Sequence, residues 1–343
     1  MKRFFHSEAG AVVLWVFASL LLAAVISPWV YQGGKALAAA AASQDLGAFL
    51  EWLGAACGRS KFGRFFSRSL SFSALFLLPL LFRRIRRMKK EDVALIPGQT
   101  GMDWKCKLAQ LATGCLIAGG VLWALVMILH ATGAYVVHPH PPKLGKFLAA
   151  VLVPAAAASI VEETLFRGVL LGLWLKSARP LSACVASSLL FAFLHFLDPP
   201  SGFAITNPGA PTAGFQLLGC ILFHFTDPRF FVTDFATLFA LGMVLAWVRV
   251  RTGALWFSIG LHAGVVLAFK SSNLLFADVA THALRPWGVG ENVRSGLLPM
   301  LALGLTALIC HFVLQGFDRW RVASHVVQPF RVSSLRKEDT LKG

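Results

Sequence analysis

Charged side chains are scarce in this sequence. Only 14% of the 343 residues are Asp, Glu, Lys or Arg, whereas 57% are hydrophobic. Soluble globular domains carry about 25% charged residues, so this composition excludes an ordinary soluble protein. We therefore predict an all-α fold, a polytopic membrane bundle of about eight transmembrane helices.

Acidic residues are the scarcer of the two charged classes, with 16 Asp and Glu against 32 Lys and Arg. The resulting net charge of +16 could indicate a nucleic-acid partner. The basic residues, however, stand in short runs beside apolar segments, as in RRIRRMKK at 83–90. Because Lys and Arg gather beside membrane spans in this way, we predict membrane lipids as partners and no nucleic acid.

Several motifs of known chemistry are missing. The six cysteines form no CxxC pair and no metal-binding spacing, which predicts buried thiols. The motifs HExxH, GxSG and GxGD do not occur either, and they are typical of metal-dependent, rhomboid and aspartyl intramembrane proteases. The sequence thus excludes the usual signatures of these three classes.

Eight apolar runs are long enough to be predicted as membrane spans. The first follows MKRFFHSE without a small-residue cleavage site, so we expect a membrane anchor rather than a removable signal peptide. A shorter apolar piece at 214–225 is predicted to be re-entrant or interfacial. The predicted spans are 10–31, 65–82, 109–137, 145–175, 181–197, 230–248, 253–269 and 296–315.

The distribution of basic residues predicts both termini on the cytoplasmic side of the membrane. Lys and Arg concentrate near the N-terminus, at 83–107, in the turns at 176–179 and 249–251, and in the tail after Gly316. The predicted localisation is a multi-pass protein of a cell membrane. The bacterial inner membrane is the preferred setting, because no organelle signal is found.

Three ionisable residues interrupt the fourth predicted span, in the stretch IVEETLFRG at 160–168. A charge at the centre of a membrane helix costs about 2.5–3.5 kcal/mol, so each of them needs a partner or a function. Glu163 and Arg167 are four positions apart, share a helix face and can pair. Glu162 is rotated by about 100° from Glu163, which leaves its carboxylate available for chemistry.

Two histidines are placed to meet Glu162. Glu162 and His195 lie at nearly equal separations on either side of the turn KSARP, each about 25 Å from it along a helix. His262 lies about 16 Å beyond a second basic turn, RVRTG at 249–253, and helix tilt or turns at different heights can bring it level. One carboxylate and two imidazoles around a water molecule suffice for hydrolysis.

These residues fall in three motifs, EETLFR at 162–167, FAFLH at 191–195 and HAGVV beginning at His262. In this order, and each in an apolar helix, they resemble the CPBP family, the CAAX prenyl endopeptidase and bacteriocin-processing (Abi) family of intramembrane glutamic proteases. The resemblance covers roughly residues 145–270. It implies an intramembrane endopeptidase that cleaves a membrane-embedded or lipid-anchored peptide or protein.

The resemblance also implies a role for each residue. Glu162 is expected to act as the general base that activates water, and His195 to hold and polarise that water. Glu163 and Arg167 are expected to support the site, and His262 to stabilise the tetrahedral oxyanion. All five are therefore predicted as catalytic residues.

The sequence departs from the family pattern at Val266, where the family usually has Asn. Another donor could substitute there, and Ser258, one turn before His262, is a candidate. No cofactor is required by this interpretation, although two histidines and a glutamate could ligate zinc.

The alternatives are a non-catalytic membrane scaffold or immunity-type protein of the same family, and an ion- or proton-coupled transporter that uses the buried polar residues.

We predict that the chain divides into four segments. They are N-terminal transmembrane helices at 1–144, a catalytic membrane core at 145–270, a last loop and transmembrane helix at 271–315, and a basic cytoplasmic tail at 316–343.

Overall fold

A computed structural model describes residues 8–88, 102–176, 178–197, 204–285, 287–290 and 292–323. In chain order the helices are α1 (Glu8–Ser43), α2 (Ala48–Arg59), α3 (Phe62–Met88), α4 (Trp104–Ala131), α5 (Leu144–Glu163), α6 (Leu171–Trp174), α7 (Pro180–His195), α8 (Ala213–His224), α9 (Pro228–Phe230), α10 (Ala236–Thr252), α11 (Trp256–Leu275) and α12 (Leu297–Ala323). Two π-helical segments, Thr164–Leu170 and Phe231–Phe235, join α5 to α6 and α9 to α10. Two short strands, β1 (Tyr135–Val137) and β2 (Phe276–Asp278), form an antiparallel pair.

Six helical stretches in the described part of the chain are long and apolar enough to cross a membrane, which confirms the prediction of a polytopic helical bundle. The predicted span 181–197 corresponds to α7, a shorter apolar helix, and 253–269 corresponds to α11, which contains His262 and Lys270. The six stretches are Gly10–Ser43, Phe62–Ile85, Trp104–Ala131, Leu144–Trp174, Pro228–Thr252 and Leu297–Gly316. Residues 324–343 of the predicted basic tail and residues 89–90 of the RRIRRMKK run lie outside the described residues.

Helices α4 and α11 are held unusually close by small residues. A Cβ atom at Gly260 would lie 2.1 Å from the carbonyl oxygen of Leu111, and one at Gly264 would lie 2.4 Å from that of Cys115. Only glycine allows two helix backbones to approach this closely, as in the GxxxG motif of membrane helix pairs. Because His262 lies between these glycines, the α4 contact fixes the position of its helix.

The two turns that lead into α7 and α11 differ in burial. The first connects α6 to α7, and the second connects α10 to α11 through Gly253, whose φ of 67° is left-handed. In the second turn Ala254 and Leu255 are buried, and Leu255 packs against Gly168 in the first π-helical segment. The second turn is therefore packed into the bundle, whereas residues 178–180 of the first are exposed.

At the opposite end of the bundle, the β1–β2 pair covers the ends of α4 and α11. The predicted span 109–137 is too long at this end, because α4 stops at Ala131 and the chain turns at Gly133 into β1. An Arg285–Asp278 ion pair ties the loop after β2 to that strand. Burial, together with the nearby Asp278 carboxylate, raises the pKa of Tyr135 in β1.

The apolar piece at 214–225 is the 12-residue helix α8. It packs on α1, where a Cβ at Gly214 would lie 2.0 Å from the carbonyl oxygen of Ala24. Farther into the bundle, α5 packs against α11 and α7 packs against α10. These two helix pairs carry the predicted site.

Candidate active site

The EETLFR motif lies where α5 changes into a π-helical segment. α5 ends at Glu163, and the wider turn continues from Thr164 to Leu170 before α6 resumes the α-helix. π-Helical turns inside α-helices are rare and are frequently found at functional sites. The segment retains the predicted Glu163–Arg167 pairing, because the two side chains remain on one face.

Arg167 and Glu163 form the floor of the site. Both side chains are completely buried, and Nη1 of Arg167 donates to Oε1 of Glu163 over 2.9 Å. Nη2 of Arg167 donates to the carbonyl oxygen of Gly242 in α10 over 3.2 Å, and its guanidinium carbon lies 4.2 Å from the centre of the Phe191 ring. A buried cation requires this combination of an ion pair, hydrogen bonds and an aromatic face.

His262 connects the two carboxylates. Its Nδ1 lies 3.0 Å from Oε1 of Glu163, and its Nε2 lies 3.8 Å from Oε2 of Glu162. The same Oε1 of Glu163 thus meets both Arg167 and His262. This contact orients the imidazole so that its second nitrogen faces Glu162.

His195 approaches Glu162 from α7, where it is the last residue of the helix. Its Nδ1 lies 2.8 Å from the carbonyl oxygen of Phe191, and its Nε2 lies 3.2 Å from Oε2 of Glu162. A carbonyl oxygen can only accept a hydrogen bond, so Nδ1 carries a proton and donates. The nitrogen that faces Glu162 is therefore Nε2.

The two nitrogens that face Glu162 determine where a proton can lie. Nδ1 of His262 also faces an acceptor, the carboxylate of Glu163, and so donates to it. When both rings are neutral, each Nε2 presents a lone pair to Oε2 of Glu162. A proton shared between Glu162 and an imidazole satisfies this arrangement.

Among the five site residues, all of them in the described part of the chain, Glu162 and His195 are the partly exposed ones. Their side chains are 29% and 24% exposed, whereas those of His262 and Glu163 are 4% and 0% exposed. The residues immediately before Glu162, Ile160 and Val161, lie on the outer surface of α5 with 53% and 64% exposure. The carboxylate of Glu162 is therefore partly accessible, although its Oε2 is buried against the two histidines, and the groups beneath it are closed off.

The structure brings all five sequence-predicted site residues together. Two further contributors were not predicted as such. Phe191, the first residue of the FAFLH motif, lies against the guanidinium of Arg167, and its ring centre is 4.2 Å from that of His195. The carbonyl oxygen of Gly242 is a backbone group, for which the sequence carries no signal.

Two sequence-based suggestions find less support in the geometry. The hydroxyl of Ser258 is fully buried and donates to the carbonyl oxygen of Leu255, so it is engaged within its own helix. Within the ranges that the structure describes, no group of three or more His, Cys, Asp or Glu side chains is arranged to hold a metal ion.

Residues 144–268 match the family model described as type II CAAX prenyl endopeptidase Rce1-like. This segment of the chain belongs to the CAAX prenyl endopeptidase (CPBP) family. The matched segment contains all five residues of the site, and the family is one of membrane proteases. No curated protein and no solved structure matches the chain. The prediction of the CAAX protease family from the three motifs is thus confirmed, and the protein is a multi-pass membrane protein.

Proposed function

We propose that the protein is an intramembrane endopeptidase that hydrolyses a peptide bond with water activated by Glu162. The observation that carries this proposal is the position of Oε2 of Glu162, 3.2 Å from Nε2 of His195 and 3.8 Å from Nε2 of His262. A general base must reach its water directly, and Glu162 is the exposed carboxylate of the pair. Glu163 is fully buried and is held by Arg167.

A single proton on the Glu162–His195 pair makes the net charge of the site zero, whichever of the two groups carries it. When His195 carries it, the site contains two carboxylates, one guanidinium and one imidazolium. A poorly hydrated site stabilises such a neutral set far better than an unpaired charge. Glu162 is then ready to accept a proton from water.

In the proposed reaction, the carboxylate of Glu162 accepts a proton while the water oxygen bonds to the carbonyl carbon of the peptide. The carbonyl π electrons move to its oxygen, and the protonated Nε2 of His195 donates a hydrogen bond to this oxyanion. The C–N bond then breaks, and the proton held by Glu162 passes to the leaving amine. The products are a carboxyl and an amino terminus, and Glu162 is again ionised.

Glu163 and Arg167 act by positioning. Oε1 of Glu163 can accept from Nδ1–H of His262 in either protonation state of that ring. Arg167 keeps this carboxylate in place and is itself anchored on Gly242 and Phe191. The role expected for His262 at the oxyanion requires a proton on Nε2 in addition to the one on Nδ1.

We propose a substrate that lies in the membrane or is anchored to it. The apolar outer surface of α5 beside Glu162 supports this class, and so does the packing of α5 and α7 on different partner helices. With both termini cytoplasmic in a bacterial inner membrane, the basic turns face the cytoplasm and His195 lies at the far end of α7. The substrate then reaches the site from within the membrane.

A non-catalytic scaffold is the second candidate, and Val266 is the observation that favours it. This valine lies one helical turn beyond His262, where the resemblance leads us to expect an amide donor.

The four-segment division of the chain also stays a proposal, and α4, assigned to the N-terminal segment, packs along α11 of the proposed core.

The protease and scaffold proposals are separated by a comparison of membrane-protein termini in cells. We expect peptides with uncleaved ends to accumulate when Glu162→Gln replaces the wild-type protein, as they do when the protein is absent. Glu51→Gln, on the exposed surface of α2, is the matched control and should give the wild-type pattern. Identical termini in wild-type, Glu162→Gln and deleted cells would reject the protease and leave the scaffold.

A further inference from the structure

The helix α3 ends in the RRIRRMKK run, which the proposed function does not use. Its stretch Phe62–Ile85 is long and apolar enough to cross a membrane. Within Phe62–Met88 the helix contains six arginines and no acidic residue, and the arginines stand at its two ends. Both ends of this membrane span are therefore positively charged.

A groove on α3 leads from the middle of the span to the arginines at its C-terminal end. Its lining side chains form two neighbouring ridges along one helix face, because the members of each ridge are four residues apart. They enclose a space of about 600 Å³, which is within the range of small-molecule sites. The lining residues are Leu75, Leu78, Pro79, Phe82, Arg83 and Arg87. The groove is thus apolar over most of its length and cationic at one end.

The groove faces outward from the bundle at Leu75 and Pro79. Leu75 is 68% exposed, although it lies within a predicted membrane span. Pro79 has no N–H to donate to the carbonyl oxygen of Leu75, so the regular helical hydrogen bond is missing at this point of the groove. The apolar wall of the groove is therefore accessible from the surrounding lipid.

The arginines of the groove lie at the level of the lipid head groups. Arg64, near the other end of α3, and Arg83 are about 28 Å apart along the helix, at 1.5 Å per residue. The hydrocarbon core of a bilayer is about 30 Å thick. Exposed side chains between the two arginines include Phe72, Phe76 and Leu80, as expected for a surface in contact with lipid tails. The second arginine of the groove is one helical turn farther from the hydrocarbon.

We propose that this groove binds an anionic phospholipid, with an acyl chain along its apolar part and the phosphate at Arg83 and Arg87. The two arginines are exposed and four positions apart, so they share a face and can contact one phosphate together. A guanidinium forms two parallel hydrogen bonds to phosphate oxygens. The absence of acidic residues from α3 leaves no carboxylate on this helix to compete with the lipid.

The proposed lipid site is separate from the proposed protease function. None of its residues belongs to the catalytic set, and α3 lies outside the matched residues 144–268. Basic residues at a membrane surface attract anionic lipids in general, but the groove adds a fixed place for an acyl chain. The bound lipid should therefore be retained when the bulk membrane is removed.

The test is native mass spectrometry of the full-length protein in detergent, after equilibration with equal amounts of phosphatidylglycerol and phosphatidylcholine that have identical acyl chains. We expect the wild-type protein to retain phosphatidylglycerol preferentially. Each arginine should contribute about fivefold to this preference, so the double variant Arg83→Gln, Arg87→Gln should lose about 25-fold. Equal retention of the two lipids by the wild-type protein, or an unchanged preference in the double variant, would overturn the proposal.

Lys105→Gln is the control for charge alone, because it removes an exposed cation from the start of α4, outside the groove. It should retain the wild-type preference, whereas Arg87→Gln should lose about fivefold. An equal loss in these two single variants would show that overall charge selects the lipid, and would overturn the site.

Leu75→Trp tests the apolar part of the groove, because the larger side chain fills it without changing the charge. We expect weaker retention of phosphatidylglycerol and an unchanged thermal unfolding midpoint, since Leu75 is exposed. Soluble glycerophosphoglycerol, the same head group without acyl chains, should not displace the bound lipid. Displacement by this compound, together with wild-type retention in Leu75→Trp, would indicate a phosphate site and overturn the lipid.

Discussion

Oε1 of Glu163 lies 3.0 Å from Nδ1 of His262, although 99 positions separate the two residues. This contact joins the EETLFR motif to the third motif beneath the exposed carboxylate of Glu162. The same oxygen accepts from Arg167, so one buried carboxylate holds a cation on its own helix and an imidazole on another. Several consequences can be measured.

Replacement of Arg167 by Met should destabilise the fold, because it leaves Glu163 buried without its cation. Breaking a buried ion pair on one side costs about 3–5 kcal/mol in the free energy of unfolding. Denaturant titration of the detergent-solubilised protein measures this loss. Glu162→Gln is the control, since that side chain is 29% exposed and should leave the unfolding midpoint unchanged. Equal midpoints for Arg167→Met and the wild-type protein would contradict the structural role of the pair.

Phe191→Leu should slow peptide cleavage by about tenfold, because it removes a cation–π contact worth about 1–2 kcal/mol in a poorly hydrated site. The expected cause is a shift of Arg167 and of His195, whose ring lies beside Phe191. Phe193→Leu, on the same helix but packed against Phe225, is the matched control and should retain the wild-type rate. Equal rates for the two variants would show that Phe191 only fills space.

Two contacts of the site could be predicted from the sequence. Equal separations from the KSARP turn placed Glu162 beside His195, and the pairing of Glu163 with Arg167 followed from helical spacing. The contact of Glu163 with His262 could not be predicted in this way. It depends on the burial of the second turn, at Ala254 and Leu255, and that burial is set by the tertiary structure.

Other features had a weak signal or none. The glycines at 260 and 264 formed a GxxxG pattern around His262 that could have indicated close packing, although the partner helix was not specified. The π-helical turn at Thr164–Leu170 has no pattern that distinguishes it from α-helix. Arg294 lies in a loop without periodicity, so only the folded chain connects it with Phe196 and Phe269.

Gly260→Ala should destabilise the protein by about 1–3 kcal/mol, because the added methyl group overpacks the α4–α11 contact. Its Cβ would lie 2.1 Å from the carbonyl oxygen of Leu111, and displacement of α11 should also lower cleavage. Gly120→Ala is the matched control, since nothing lies within 4 Å of its added Cβ. The thermal unfolding midpoints and cleavage rates of the two variants are compared with those of the wild-type protein. Equal changes in Gly260→Ala and Gly120→Ala would contradict the importance of the α4–α11 contact.

Val266→Asn should raise the cleavage rate if the site lacks a hydrogen-bond donor for the oxyanion. One well-placed donor contributes about 10²-fold or more in established oxyanion sites, so an increase of about tenfold is expected from an unoptimised one. Val266→Leu, which adds volume without a donor, should not increase the rate. A decrease in Val266→Asn as large as that in Val266→Leu would show that the site does not use a donor at this position.

The central claim is that Glu162 activates water for peptide hydrolysis. The most direct measurement is cleavage of a membrane-inserted peptide by the purified protein in H₂¹⁸O, with mass analysis of the new carboxyl terminus. We expect one ¹⁸O atom in that terminus for the wild-type protein, and a rate about 10²–10⁴-fold lower for folded Glu162→Gln. Cleavage by Glu162→Gln at the wild-type rate, or products without ¹⁸O, would contradict the mechanism.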